Sequence, residues 1–174
     1  AGTNDVLCWA GGEVEAQGLT NPTQVSSWLN HSCAISQVAD ERGVTCWGSN
    51  TFVPELANPA WVSAGYYFSC AIDDTGVVCW GAGAVEITPS LSAPTLVDAG
   101  ENYACAVDEG NVKCWDRGTS SISVTRPVED VQVLEVGYGF ACLLDEAGVS
   151  CFSIPGPGGA TGIVNNVPNM NDPI

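Results

Sequence analysis

The chain is written in short apolar or alternating runs, as in Gly76-Val-Val-Cys-Trp80, cut at close intervals by Gly, Asp and Asn. Such runs, rich in β-branched residues and bounded by turn formers, predict strands and tight turns. No stretch of useful length carries the 3.6-residue period of an amphipathic helix. The pattern also repeats. Cys33-Ala-Ile and Gly43-Val-Thr-Cys46-Trp47 form one phrase, and Cys70-Ala-Ile with Gly76-Val-Val-Cys79-Trp80 forms its second copy. Cys105-Ala-Val with Asn111-Val-Lys-Cys114-Trp115 and Cys142-Leu-Leu with Gly148-Val-Ser-Cys151-Phe152 are the third and fourth. The first cysteines, at 33, 70, 105 and 142, lie 37, 35 and 37 residues apart. A unit of roughly 36 residues holds three or four short strands, which is one propeller blade.

Cysteine spacing sets the register inside each unit. With Asp73-Asp74-Thr75-Gly76 as the turn, Ile72 faces Val77, Ala71 faces Val78 and Cys70 faces Cys79. Directly opposed residues of a non-hydrogen-bonded antiparallel pair sit close enough for a disulfide. Counting the same way joins Cys105 to Cys114 and Cys142 to Cys151. In the first unit the loop is four residues longer, yet Ile35 still meets Val44 and Cys33 still meets Cys46. An insertion confined to the turn is what a hairpin tolerates. A zinc reading fails on spacing, since structural zinc wants CxxC knuckles or added histidines, and His31 is the only histidine. Four bridges imply an oxidising compartment.

Composition narrows the function classes. Across 174 residues, 4 Lys and Arg oppose 20 Asp and Glu, a net charge of −16. That surface repels nucleic acid and anionic membranes, because phosphate binding needs clustered cations. With 45% hydrophobic residues and 6 tryptophans the chain has the means to build a core. No apolar run approaches the ~18–20 residues of a membrane span. The start at Ala1-Gly2 fits a mature chain after signal-peptide removal, with an extracellular or cell-surface location.

These residues resemble the regulator of chromosome condensation repeat family. Val62-Ser-Ala-Gly-Tyr-Tyr-Phe-Ser-Cys-Ala-Ile72 followed by Gly76-Val-Val-Cys-Trp-Gly81 carries that family's pattern, Gly100 and Gly137 hold the place of Gly65, and His31-Ser32 supplies its His-Ser. The match runs over about residues 5–152. It resembles the bacterial, extracytoplasmic, cysteine-rich branch, and so implies a β-propeller. Trp28 stands where the other units have Gly, which predicts a local change in that turn. Nothing matches the exchange wedge of the eukaryotic members, so nucleotide exchange is not implied.

The expected fold is therefore all-β: a small propeller of four full blades plus a partial fifth, each full blade stapled by a hairpin disulfide. Full units span about 24–48, 61–81, 96–116 and 133–152, and a half unit spans 5–12. Within the half unit, Asp5-Val6-Leu7-Cys8-Trp9 matches only the second half of a blade and leaves Cys8 without a partner. The tail, 153–174, is rich in Pro, Gly and Asn and serves as closing strand or assembly arm. Two outcomes stay open at the ends. The tail closes the propeller within the chain, with Cys8 a free thiol. Alternatively, a second copy supplies the missing strands, with Cys8 bridged between chains.

Candidate chemistry is thin. The acidic turns lack the alternating oxygen ligands of a calcium loop. His31 occupies the place of Phe68, Tyr103 and Phe140, which makes it a packed inter-blade residue, and no second histidine is present to build a triad. Trp9, Trp47, Trp80, Trp115 and Phe152 share one register and read as packing. Trp28, Trp61, Tyr66 and Tyr67 fall off that register and are the candidate binding residues. Asn30-His31-Ser32 is a glycosylation sequon. No catalytic residue, cofactor or metal site is expected. The function expected is a non-catalytic module for protein–protein association, self-assembling through residues 1–12 and 153–174 into an extracellular filament or surface structure. The alternatives are a monomeric binding or inhibitor propeller that recognises a foreign extracellular protein, and a glycan-active enzyme, which would need two carboxylates facing one cleft.

Overall fold

In a computed structural model the described residues are 6–10, 13–16, 18–38, 41–82 and 88–156. They form strands and turns with no helix, and hence no helix long and apolar enough to cross a membrane. The strands are β1 (Leu7–Ala10), β2 (Glu13–Ala16), β3 (Thr20–Trp28), β4 (His31–Val38), β5 (Glu41–Gly48), β6 (Trp61–Ala64), β7 (Phe68–Asp73) and β8 (Gly76–Gly81). They continue as β9 (Pro94–Ala99), β10 (Tyr103–Asp108), β11 (Asn111–Asp116), β12 (Ile122–Pro127), β13 (Val133–Val136), β14 (Phe140–Asp145) and β15 (Gly148–Ser153). Antiparallel sheets β3-β4-β5, β6-β7-β8, β9-β10-β11-β12 and β13-β14-β15 are the four blades, here numbered first to fourth. The pair β1-β2 stands as a two-stranded sheet, the outer half of a further blade.

The hairpin register is the one the spacing predicts: Cys33 faces Cys46, Cys70 faces Cys79, Cys105 faces Cys114 and Cys142 faces Cys151, and each pair is disulfide-bonded. Turn chemistry follows the sequence closely. Asp73 and Asp145 each accept, through Oδ1, the N–H two residues on, from Thr75 and Ala147 at 2.8 Å. Gly76 and Gly148 then close their turns at positive φ. In the third hairpin the glycine comes one place earlier. Glu109 and Gly110 both adopt positive φ, at 49° and 71°, and Asp108 is left to bond elsewhere.

Apolar side chains are buried between blades, and each junction has its own core. Cys33, Ile35 and Cys46 of the first blade pack on Val62, Ala64, Ala71 and Trp80 of the second. Phe68, Ile72 and the Cys70–Cys79 bridge pack on Val97, Ala99 and Trp115 of the third. Tyr103, Val107 and the Cys105–Cys114 bridge pack on Leu134, Val136, Ala141 and Leu143 of the fourth. Each disulfide thus faces forward along the chain, while Trp80, Trp115 and Phe152 face back. At the inner edge the backbones nearly touch: a Cβ on Gly100 would stand 2.7 Å from the carbonyl oxygens of Val136 and Gly137. The first blade differs, as expected from Trp28. There the ladder runs on through Trp28 opposite His31 before the turn.

Candidate functional site

The inner strands β3, β6, β9 and β13 stand side by side and are tied by a repeating bond. Ser26, Ser63, Asp98 and Glu135 hold the same place in successive units. Ser26 Oγ accepts from the Ala64 N–H at 2.9 Å, Ser63 Oγ from the Ala99 N–H at 2.9 Å, and Asp98 Oδ2 from the Val136 N–H at 2.6 Å. Ser63 also donates to Asp98 Oδ1 at 2.6 Å. Two places earlier, Gln24 exchanges both its amide atoms with the backbone of Val62, and Trp61 Nε1 donates to the Val97 carbonyl at 2.9 Å. Side chain to backbone bonding of this kind fixes the spacing between blades that share no strand ladder.

Between the inner strands lies a groove of about 290 Å³. Trp28 and Trp61, two of the four candidate binding residues, line it together with Asp98 and Glu135. Both carboxylates therefore meet one cleft, which is the condition for glycan chemistry. Asp98, however, already accepts from Ser63 and from Val136, which makes it a joint between blades. Burial pushes the Asp98 carboxyl up to about 7, with the Ser63 and Val136 hydrogen bonds opposing and Glu135 adding to the rise.

A raised carboxyl pKa favours the protonated folded state. Its contribution is full below the ordinary value of 3.8 and is lost as the pH rises to about 7. Taken whole, the shift is worth about 4 kcal/mol, and exposure through the groove reduces the expected effect to about 1–2 kcal/mol. Asp98→Asn is therefore expected to be more stable than wild type at pH 8, with the difference shrinking towards pH 4, as read by urea unfolding. An Asn variant that is weaker than wild type at pH 8 would refute this. His31 works in the opposite sense: desolvation lowers its pKa, so its contribution holds above 6.5 and fades below. Comparison at each pH with wild type cancels it.

Tyr66 and Tyr67 lie apart from the groove, in the turn between β6 and β7. Their rings are 3.9 Å apart between centroids, and the Tyr67 hydroxyl donates to the Tyr66 oxygen at 3.0 Å. That hydrogen bond, with smaller help from nearby charge, raises the Tyr66 pKa. The Arg117 guanidinium stands 6.0 Å from the Tyr67 ring. Leu29 and Tyr138 occupy the Tyr66 place in the first and fourth blades, and both are well exposed. With the two tyrosines they give one end of the blades an apolar rim. Sequence reasoning missed Leu29 and Tyr138, although their repeat place was available as the signal.

His31 is buried, and its Nε2 lies 2.8 Å from Ser69 Oγ of the second blade. It is an inter-blade residue that also carries a polar bond, so an aromatic substitute would leave Ser69 short of a partner. The Asn30 side chain is held 3.2 Å from His31 Nδ1. The opposite end of the blades is acidic: Glu129, Asp130, Asp145 and Glu146 line a cleft of about 700 Å³. Among the described residues no three potential ligands are grouped to hold a metal ion. Cys8 lies on β1 outside any disulfide. Trp9's side chain and most of the residues expected to associate, 1–5, 11–12 and 157–174, lie outside the described residues.

No protein-family model and no curated protein sequence matches the chain. Solved structures do. The CRINKLY WD40 ectodomain of the Arabidopsis thaliana receptor kinase ACR4 is similar at 25% identity with a TM-score of 0.56, covering 78% of this chain and 53% of that one. The ectodomain of the Physcomitrella patens receptor kinase CR4 is similar at 19% identity and TM-score 0.53, over 88% and 55% of the two chains. Prp20p of Saccharomyces cerevisiae, the yeast RCC1, is similar at 11% identity and TM-score 0.58, over 77% and 45%. The chain spans about half the length of each. These likenesses and the four stapled sheets establish a β-propeller repeat fold, and the four disulfides suit an oxidising environment.

Proposed function

We propose that the protein is a secreted or cell-surface, non-catalytic propeller module that associates with other copies of itself and builds an extracellular filament or surface structure. One observation carries this reading. Among the described residues, four consecutive blades end on a sheet face with no further blade against it, and β1-β2 supplies only half of another. Propellers manage such edges by closure, because an open edge recruits another chain. The contact between two different ends is heterologous, so it grows into a ring or a filament. The bacterial, cysteine-rich subtype belongs to the same proposal and is supported by the residues that carry the resemblance.

Light scattering on the oxidised protein over a range of concentrations tests the reading. Wild type should rise in mass with concentration. A wild type that is monomeric throughout, with a titratable Cys8 thiol, would overturn it. The second reading, a monomeric module that recognises a foreign protein, is favoured by the rim of Leu29, Tyr66, Tyr67 and Tyr138, since exposed aromatics make good anchors.

A further inference from the structure

The three filled junctions define what an unfilled one lacks. On every inner strand alternate residues face forward and back. The back-facing pairs Val62 and Ala64, Val97 and Ala99, and Leu134 and Val136 are all buried against the preceding blade. Their counterparts in the first blade are Val25, 51% exposed, and Ser27, also exposed. Forward-facing places tell the same story at the other end. Val112 is fully buried, whereas Val149 at the same place in the fourth blade is 42% exposed. Phe68 and Tyr103 are buried while Phe140 is partly open, and Cys142–Cys151 is partly open where the three other bridges are buried.

Hydrogen bonding is left over in the same complementary way. Ser26, Ser63 and Asp98 each accept an N–H from the next blade, at Ala64, Ala99 and Val136. Glu135 holds the fourth such acceptor place, is exposed, and has no blade after it among the described residues. Ser27 holds the donor place in the first blade, with no inner strand before it among the described residues. One end therefore offers an acceptor and an apolar forward face, and the other offers the matching N–H and an apolar residue at the matching register.

We propose that the open face of the fourth blade takes the first blade of a second copy, continuing the blade-to-blade interface from chain to chain. Glu135 of one copy accepts the Ser27 N–H of the next, and Val25 covers the forward face at the register that Val62, Val97 and Leu134 fill within the chain. This rests on the self-association reading and names its surface: the blade faces, in place of an exchange of terminal strands. Because each copy has one end of each kind, the contact is directional.

Sedimentation of the full oxidised chain tests it with two exposed substitutions, Glu135→Lys at the forward end and Val25→Lys at the back. Each is expected to weaken association at least tenfold with an unchanged circular dichroism spectrum. Glu135→Gln serves as a milder forward variant should the lysine disturb folding. Mixing the two lysine variants pairs the intact end of one with the intact end of the other, and should give dimers and nothing larger. If wild type associates and both variants associate equally well, or if the mixture stays monomeric, the blade faces are the wrong surface while self-association stands. A wild type that is monomeric at every concentration leaves the face to residues 157–174 or to a foreign protein and overturns both.

Discussion

Reducing the disulfides in native buffer is expected to unfold the chain. Loops of 9 residues, and of 13 in the first blade, are closed by the bridges. Chain entropy assigns about 2.5–3 kcal/mol to each, hence about 10 kcal/mol together, against the ~5–15 kcal/mol by which a domain is stable. Location adds to this. The bridges at Cys33, Cys70 and Cys105 are part of the three junction cores, so two separated thiols would also disturb packing between blades. The order of attack follows exposure. Cys142–Cys151 is partly open and the others are buried, so under mild reductant an alkylating reagent should label Cys142 and Cys151 first among the bridged cysteines of a still-folded protein. Full reduction should then collapse the tryptophan fluorescence and near-ultraviolet dichroism. A fully reduced and alkylated chain that keeps its native spectrum would remove the bridges from any structural role. Simultaneous labelling of all eight cysteines would refute the order.

What was legible in the sequence was what is local. Hairpin register follows from cysteines equidistant from a turn, and the four-residue insertion in the first unit left it intact. Repeat spacing gave the blade, and Trp28 at a glycine place marked the inner turn, β3 to β4, that differs from its counterparts. Junction chemistry was not legible, because its partners lie 35–38 residues apart and no local pattern distinguishes the forward from the back face of a hairpin. Asp98 reads in sequence as one more acidic residue, and only the approach of Val136 and Ser63 makes it a joint. Trp28 and Trp61, picked because they left the packing register, line one groove. Tyr66 and Tyr67, picked for the same reason, sit on the rim instead. The half unit was recognised from Cys8-Trp9, but its pairing is with β2, so among the described residues β1-β2 is an outer pair without an inner one. The repeat gave no sign of this, since Glu13–Ala16 carries no cysteine, but Gly11-Gly12 between the two runs is itself a hairpin signal that sequence reasoning passed over.

Lys113→Met is expected to cost about 3–5 kcal/mol, the penalty for stranding one member of a buried ion pair. Asp108 has no exposed side-chain surface, its Oδ2 lies 2.6 Å from Lys113 Nζ, and its Oδ1 accepts the Ala93 N–H at 2.7 Å. The pair exists because the third hairpin turns through Glu109 and Gly110, one place earlier than its neighbours. Where Asp73 and Asp145 bind the N–H of their own turns, Asp108 reaches across the hairpin to the chain's only lysine. Burial alone would push the Asp108 carboxyl up, but the Lys113 ammonium and the backbone N–H groups of Ala93 and Ser92 prevail and hold it below the ordinary value. A depressed carboxyl pKa gives stability that is present above the unfolded value, 3.8, and lost as the pH falls through the folded one. Without the ammonium, burial dominates and the sign reverses, so the variant should gain stability as the pH drops from 7.5 towards 5. Urea unfolding at those two pH values reads both effects. Adding Asp108→Asn to Lys113→Met should recover most of the loss, because it removes the stranded charge and keeps an acceptor for Ala93. A single variant that loses less than about 0.5 kcal/mol and keeps the wild-type pH slope would show that water, and not Lys113, neutralises Asp108.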